Sequence, residues 1–370
     1  MAKNNPLKKL ELLGQSVWLD YIRADFISSG ELLRSILEDG LGGMTSNPSI
    51  FEKAIAKSDL YDHEIRTMAF QGQGVKAIYE SLSQQDVRNA ADTFRPVYEK
   101  TKGKEGFVSL EVNPHLAHST QGTIEEARRL WAALNRPNVL IKVPATAAGL
   151  PAIRQLISEG INVNVTLLFG IARYKLVVKS YIAGIKDRIA QGKPVNNIVS
   201  VASFFLSRID VAIDPKEDEF AALGGEQAHF ATNILGQVAI SSAKIAYNFY
   251  KETFGSEQFL KLGASPQKLL WASTSTKDPS YSDVKYVEAL IGPDTINTLP
   301  PETLEAYRNH GNPSLQLETG LDKAFWVMSE LTELGIDIKN ITKKLENEGV
   351  RKFIDSFDKL MEAVANKSKL

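Results

Sequence analysis

The sequence contains no cysteine. Disulfides, thiolate metal sites and a cysteine nucleophile are therefore excluded. An excess of charge of either sign is also missing: 43 Lys and Arg face 44 Asp and Glu, a formal net charge of -1. A nucleic-acid binder is expected to carry a basic face or a high domain pI, so no nucleic-acid partner is expected. No apolar run reaches the roughly 18 residues that would span a bilayer, so no membrane partner is expected either. The opening residues, Met1-Ala2-Lys3-Asn4-Asn5-Pro6, lack the apolar centre of a secretory signal. The expectation is a cytoplasmic protein. Histidine is scarce, with 5 in 370 residues. His115 and His118 are three apart, but no strong third ligand stands near them, so no metal is expected. There is no Gly-x-Gly-x-x-Gly opening a helix and no Walker loop, and no cofactor is expected.

What is present is ordinary for a soluble globular chain: 43% apolar and 24% charged residues. Short apolar runs near 16–22, 43–48, 106–113, 139–145, 161–168, 197–205, 268–276 and 294–299 alternate with helical patterns, each run being followed by one. Ser29 to Asp39 reads as the first helix, with Ser29 as its N-cap and Leu32, Leu33, Ile36 and Leu37 at helical spacing. About eight strand–helix units imply a parallel sheet with right-handed crossovers. The rival, an open doubly wound sheet, lacks its nucleotide fingerprint. The fold class is therefore α/β, a (β/α)8 TIM-type barrel with inserted helices and a C-terminal helical extension. A bare barrel takes about 250 residues, more with insertions. Residues 50–101 hold about three inserted helices, and 218–255 hold a long one. After about 315 the pattern is purely helical: Leu321 to Leu334, Ile338 to Glu348, and Val350 to Ala365. We read a single domain over 1–370, with the barrel at about 14–315 and a helical cap at about 316–370.

Residues i and i+2 of a strand share a face. In a barrel one face meets the helices and the other meets the axis, where active sites occupy the C-terminal ends of the strands. The fifth strand separates Val163, Val165 and Leu167 from Asn162, Asn164 and Thr166. The third sets Val108, Leu110 and Val112 against Ser109, Glu111 and Asn113. Asp20 ends the first strand, Asn47 the second, and the sixth aligns Ser203 with Phe205. The fourth, Val139-Leu140-Ile141-Lys142-Val143-Pro144, embeds one lysine among apolar residues. A lone strand lysine is more often an edge or snorkelling residue, and each polar residue alone has a structural reading. Convergence of six strand ends favours a site, since each buried polar group left unpaired costs about 1–3 kcal/mol.

Burial disfavours an ammonium, and the free amine is the nucleophile that Schiff-base chemistry on a carbonyl requires. Such a lysine turns a ketose into an electron sink. Breaking the bond beyond the next carbon needs a carboxylate to accept a hydroxyl proton, a role open to Asp20 or Glu111. Asn47, Asn164 and Thr166 suit the resulting enamine. Ser203-Phe204-Phe205-Leu206-Ser207-Arg208, where strand six gives way to a helix, offers hydroxyls, a guanidinium and helix amides to a phosphate. Lys277 adds a second charge, although Arg208 alone has an equally good reading as a solvated helix residue.

Three segments, Gly43-Met44-Thr45-Ser46-Asn47-Pro48-Ser49, Val139 to Thr146, and Ile161 to Phe169, occur in an order that closely resembles the transaldolase family. The likeness runs from about residue 10 to the C-terminus and is similar to its longer bacterial branch. The resemblance implies a transferase of the non-oxidative pentose phosphate pathway. It would pass a dihydroxyacetone unit from sedoheptulose 7-phosphate to glyceraldehyde 3-phosphate, giving erythrose 4-phosphate and fructose 6-phosphate. It implies Lys142 as the Schiff base, Asp20 as general base and acid, and Glu111 with Thr166 positioning water. Asn47, Asn164, Ser203 and Phe205 would line the substrate site, and Arg208 would bind phosphate. Shorter transaldolases carry an arginine after strand seven as a further phosphate ligand; here the segment reads Ala272-Ser273-Thr274-Ser275-Thr276-Lys277, and Lys277 is given that role. Fructose-6-phosphate aldolases, the nearest rival, are shorter and lack the acid that Glu111 supplies. A non-catalytic binding barrel, the rival from another class, predicts an unreactive Lys142. A monomer or a homodimer fits the sequence equally well.

Overall fold

The computed structural model describes residues 5–369, apart from the side chains of 216–218, 220–223, 226, 227 and 230. Eight parallel strands close into a barrel in sequential order: β1 (Gln15–Asp20), β2 (Leu41–Thr45), β3 (Phe107–Glu111), β4 (Val139–Pro144), β5 (Val163–Leu168), β6 (Ser200–Phe205), β7 (Lys268–Ala272) and β8 (Thr295–Leu299). Six lie inside the apolar runs read from the sequence; β1 starts at Gln15 and β2 at Leu41, just ahead of the runs expected near 16–22 and 43–48. A parallel strand in such a barrel is covered on both faces, and β3, β4, β5 and β6 are buried along their whole length.

Register aligns Glu111 with Lys142, Lys142 with Asn164, and Asn164 with Val201. The side chains read as axis-facing on β3, β4 and β5 are therefore neighbours across the sheet. Two residues at the mouth break the strand rhythm. Leu167 takes a left-handed φ of 56° where the β5–β6 register shifts. It leaves the face shared by Val163 and Val165 and packs under the C-terminal helix. Ser273 takes φ 55° and ends β7 four residues before the expected limit at 276. Each such conformation costs a non-glycine residue about 1–2 kcal/mol.

The crossovers differ from expectation in instructive ways. Helices Pro48–Ala56, Asp62–Phe70 and Val75–Lys100 fill the 50–101 insertion as read. A short helix, Ala24–Ser28, follows β1 first, and the helix read from Ser29 is Glu31–Asp39, with Gly30 at φ 82° and not Ser29 as its N-cap. The expected long helix over 218–255 is divided into Ser207–Leu223, Gly225–Ile234 and Val238–Phe254. Left-handed Gly224, Gly225 and Gly236 mark the two breaks. After β7 the crossover carries only the one-turn helix Lys285–Glu288, so a loop rather than a helix borders that part of the mouth.

The two helices expected at 338–348 and 350–365 are one, Ile338–Lys367. Gly349 lies inside it and does not break it. A Cβ there would meet Leu167 Cδ2 at 2.9 Å, so the missing side chain lets the helix close on the barrel end. Ion pairs and hydrogen bonds pin it along its length: Arg173 Nε to Glu346 at 3.1 Å, Ser49 Oγ to Ser356 Oγ at 2.8 Å, and Lys367 Nζ to the Ser58 carbonyl at 2.9 Å. Among the described residues, no helix is long and apolar enough to cross a membrane.

Candidate active site

A cavity of about 440 Å³ opens at the C-terminal ends of the strands. Asp20, Asn47, Lys142, Ser203, Phe205, Arg208 and Lys277 all line it. Glu111, Asn164 and Thr166 are buried just behind that lining. Sequence reading thus placed every candidate at the same end of the barrel.

Lys142 projects from the middle of β4 and is only 4% exposed. The amine is less isolated than an apolar strand suggests. Its Nζ donates to the Ser46 carbonyl at 3.1 Å and stands 3.6 Å from Glu111 Oε2. That second contact is an ion pair without hydrogen-bond geometry, and neither Glu111 oxygen has a hydrogen-bond partner in the chain. Burial pushes the Glu111 carboxyl up to about 7; Lys142 opposes the rise, and Asp20 adds to it. A chamber of about 10 Å³ on the far side of Glu111 has room for about one water-sized probe. The Thr166 hydroxyl is likewise buried without a partner in the chain.

Asp20, at the end of β1, accepts a 2.6 Å hydrogen bond from Thr45 Oγ1. Thr45 in turn meets Thr298 Oγ1 at 2.7 Å. Burial holds the Asp20 carboxyl above its usual range, while Lys142 and the Thr45 hydroxyl pull it back. Two carboxylates thus flank one amine in unlike settings, Asp20 on the cavity and Glu111 behind it. Such a difference lets two acids carry different roles.

The amides are locked. Asn47 caps the helix Pro48–Ala56, its side-chain oxygen accepting from the Ile50 amide at 3.0 Å. Asn164 donates to Ser109 Oγ at 3.0 Å and accepts from Ser203 Oγ at 2.7 Å. This chain ties β3, β5 and β6 together across the barrel.

The cations lie on the β6–β7 side. Arg208 stands over the Phe205 ring at 5.8 Å and has no ion-pair partner among the described residues. Burial draws its guanidinium below the usual value, Glu348 opposing. Lys277 is exposed and donates to Ser275 Oγ at 2.6 Å. Ser207, which opens the helix carrying Arg208, holds Ser273 Oγ at 3.0 Å and thereby joins the two cation-bearing segments. Among the described residues no three His, Asp or Glu converge in a way that could hold a metal ion.

The sequence reading missed Thr45, Thr298, Lys53 and Phe353, all of which line the cavity. Thr45 sat inside a quoted motif, and its partner Asp20 was the available signal. Phe353 carried no local signal, being one apolar position on an amphipathic helix.

A closed parallel barrel with a lysine between two carboxylates at its mouth is the architecture of a Schiff-base aldol enzyme. The chain belongs to the Transaldolase/Fructose-6-phosphate aldolase family, which it matches over residues 17–364. It is 48% identical to a protein named Transaldolase 2 from Nostoc sp., over 99% of this chain and 98% of the relative. A transaldolase from Trichodesmium erythraeum is 46% identical, with 99% and 98% covered. One from Thiobacillus denitrificans is 44% identical, with 96% and 99% covered.

Proposed function

We propose that the chain acts as a transaldolase: it moves a dihydroxyacetone unit from sedoheptulose 7-phosphate to glyceraldehyde 3-phosphate, leaving erythrose 4-phosphate and forming fructose 6-phosphate. The place of this reaction is the non-oxidative pentose phosphate pathway in the cytoplasm, and the chain works as a monomer or homodimer. The whole chain acts as one barrel domain under a helical cap. The observation that carries the reading is Lys142 with Glu111 at 3.6 Å, facing the same cavity as Asp20.

The Lys142 amine adds to the ketose carbonyl and water leaves, forming an iminium. The Asp20 carboxylate takes the proton from the hydroxyl beyond the bond to be broken. That bond breaks, the aldehyde product departs, and the electron pair rests in the enamine. The enamine carbon then attacks the acceptor aldehyde, and Asp20 returns its proton to the new hydroxyl. Water, positioned by Glu111 and Thr166, hydrolyses the imine and frees Lys142. Asn47, Asn164 and Ser203 hold the three-carbon unit, with Phe205 beside it. Arg208 and Lys277 take the phosphate.

The test is a coupled assay with fructose 6-phosphate and erythrose 4-phosphate, run on wild type and Lys142→Ala. Wild type should release glyceraldehyde 3-phosphate, and the folded variant should not. Borohydride with fructose 6-phosphate should label Lys142. A folded wild type with no transfer would overturn the reading, whereas transfer surviving in the variant would displace only the nucleophile.

A further inference from the structure

A transferase that forms an enamine faces a choice that its chemistry does not settle. The enamine can attack an acceptor aldehyde, which is transfer. It can instead take a proton at its terminal carbon, after which water adds to the imine, the lysine amine leaves and free dihydroxyacetone is released. The second route consumes one water and regenerates Lys142. It competes whenever solvent reaches the intermediate before the acceptor does, and shielding from water suppresses such side reactions.

The C-terminal helix supplies the shield. Phe353 lines the cavity although it lies more than 200 positions along the chain from Lys142. Its ring centroid is 5.8 Å from Lys142 Nζ, and the residue is only 4% exposed. The helix cannot drift easily from this position. Gly349, one turn earlier, closes on Leu167, and Phe357, one turn later, packs edge-on to Tyr79 at 5.5 Å. An aromatic face at this distance also favours a positive nitrogen, whether ammonium or iminium, without offering it a proton acceptor.

We infer that Phe353 is a specificity-determining residue: it roofs the lysine and biases the bound three-carbon intermediate toward transfer over release to water. The inference rests on the proposed transaldolase reaction. Its measure is a ratio, free dihydroxyacetone formed from fructose 6-phosphate alone against transfer to erythrose 4-phosphate. That ratio should rise in the order wild type, Phe353→Leu, Phe353→Ala, reaching about tenfold in the alanine variant. A loss that merely disturbed folding would lower both activities and leave the ratio unchanged. If the alanine variant does not fold, the leucine variant carries the test, with about a twofold rise expected on the same ground. An unchanged ratio in a folded variant overturns the inference. A wild type that shows no transfer fails the reading beneath it instead, so the two failures are distinguishable.

Discussion

Glu111 is a buried carboxyl held against its ordinary titration. Its side chain is only 3% exposed, its oxygens have no hydrogen-bond partner in the chain, and burial pushes the carboxyl up to about 7. A carboxyl raised in the folded state holds its proton more tightly there than in the unfolded chain. Its contribution to stability is therefore complete below the ordinary carboxylate range and is lost as pH rises through about 7. Between pH 5 and 8 the wild type should lose roughly 2 kcal/mol more stability than Glu111→Gln, which has no such proton to release. Urea unfolding of both proteins at the two pH values measures the difference. Equal losses would mean that Lys142 holds Glu111 ionised throughout. The comparison is of slopes, so it is unaffected by whatever the glutamine costs in lost pairing with Lys142 at a single pH.

At the level of elements, the barrel end is built by close approach. The helix Gly149–Glu159 follows β4, and a Cβ on Gly149 would lie 2.0 Å from the Pro144 carbonyl oxygen. Backbone cannot yield as a side chain can, so Gly149→Ala should cost about 3 kcal/mol or more, the upper end of overpacking penalties. It should also disturb the strand that holds Lys142; thermal unfolding and the transfer assay together would show both, and a variant of native stability would contradict the packing described. The sequence is legible where a periodicity reports a face. Asn164 and Thr166 against Val163 and Val165 gave β5, and a lysine among apolar neighbours gave β4 and its nucleophile candidate. It is less legible where backbone geometry overrides pattern. β7 reads on to 276 because Ser273, Ser275 and their neighbours extend the alternation, yet Ser273 turns left-handed at φ 55° and ends the strand. Gly349 reads as a helix break because glycine is a poor helix former, yet contact with Leu167 requires a glycine there and the helix runs on. Phe353 was illegible for a different reason: its partner is Lys142, and no local rule links positions so far apart.

On the scale of the whole molecule, a formal charge of -1 conceals an uneven field. The cavity lining counts five basic residues (Arg23, Lys53, Lys142, Arg208 and Lys277) against two acidic ones, Asp20 and Glu302. Two of the five are already engaged: Arg23 with Asp25 at 2.5 Å, and Lys142 with Glu111. Arg208 is the informative cation, because burial costs it hydration and no ion pair among the described residues compensates. A phosphate dianion arriving beside it would restore what burial removed, so the interaction forms on binding and need not change at the transition state. Such uniform binding appears in KM and leaves kcat alone. Mobile ions screen the approach of a charged ligand over roughly 10 Å at 0.1 M salt. Raising salt from about 0.02 M to about 0.3 M should therefore increase KM for fructose 6-phosphate roughly threefold or more, with kcat little altered. Unphosphorylated fructose, a poor donor lacking the handle, should show no such rise. Arg208→Ala should raise KM for the phosphorylated donor by about tenfold to a hundredfold, the loss of one charge-assisted contact worth about 1.5–3 kcal/mol. It should also flatten the salt response, because the charge that the ions screen is gone. If salt moved both donors alike, the effect would belong to the protein as a whole. If Arg208→Ala kept the full salt response, the phosphate would be held by Lys277 and the loop after β7 instead.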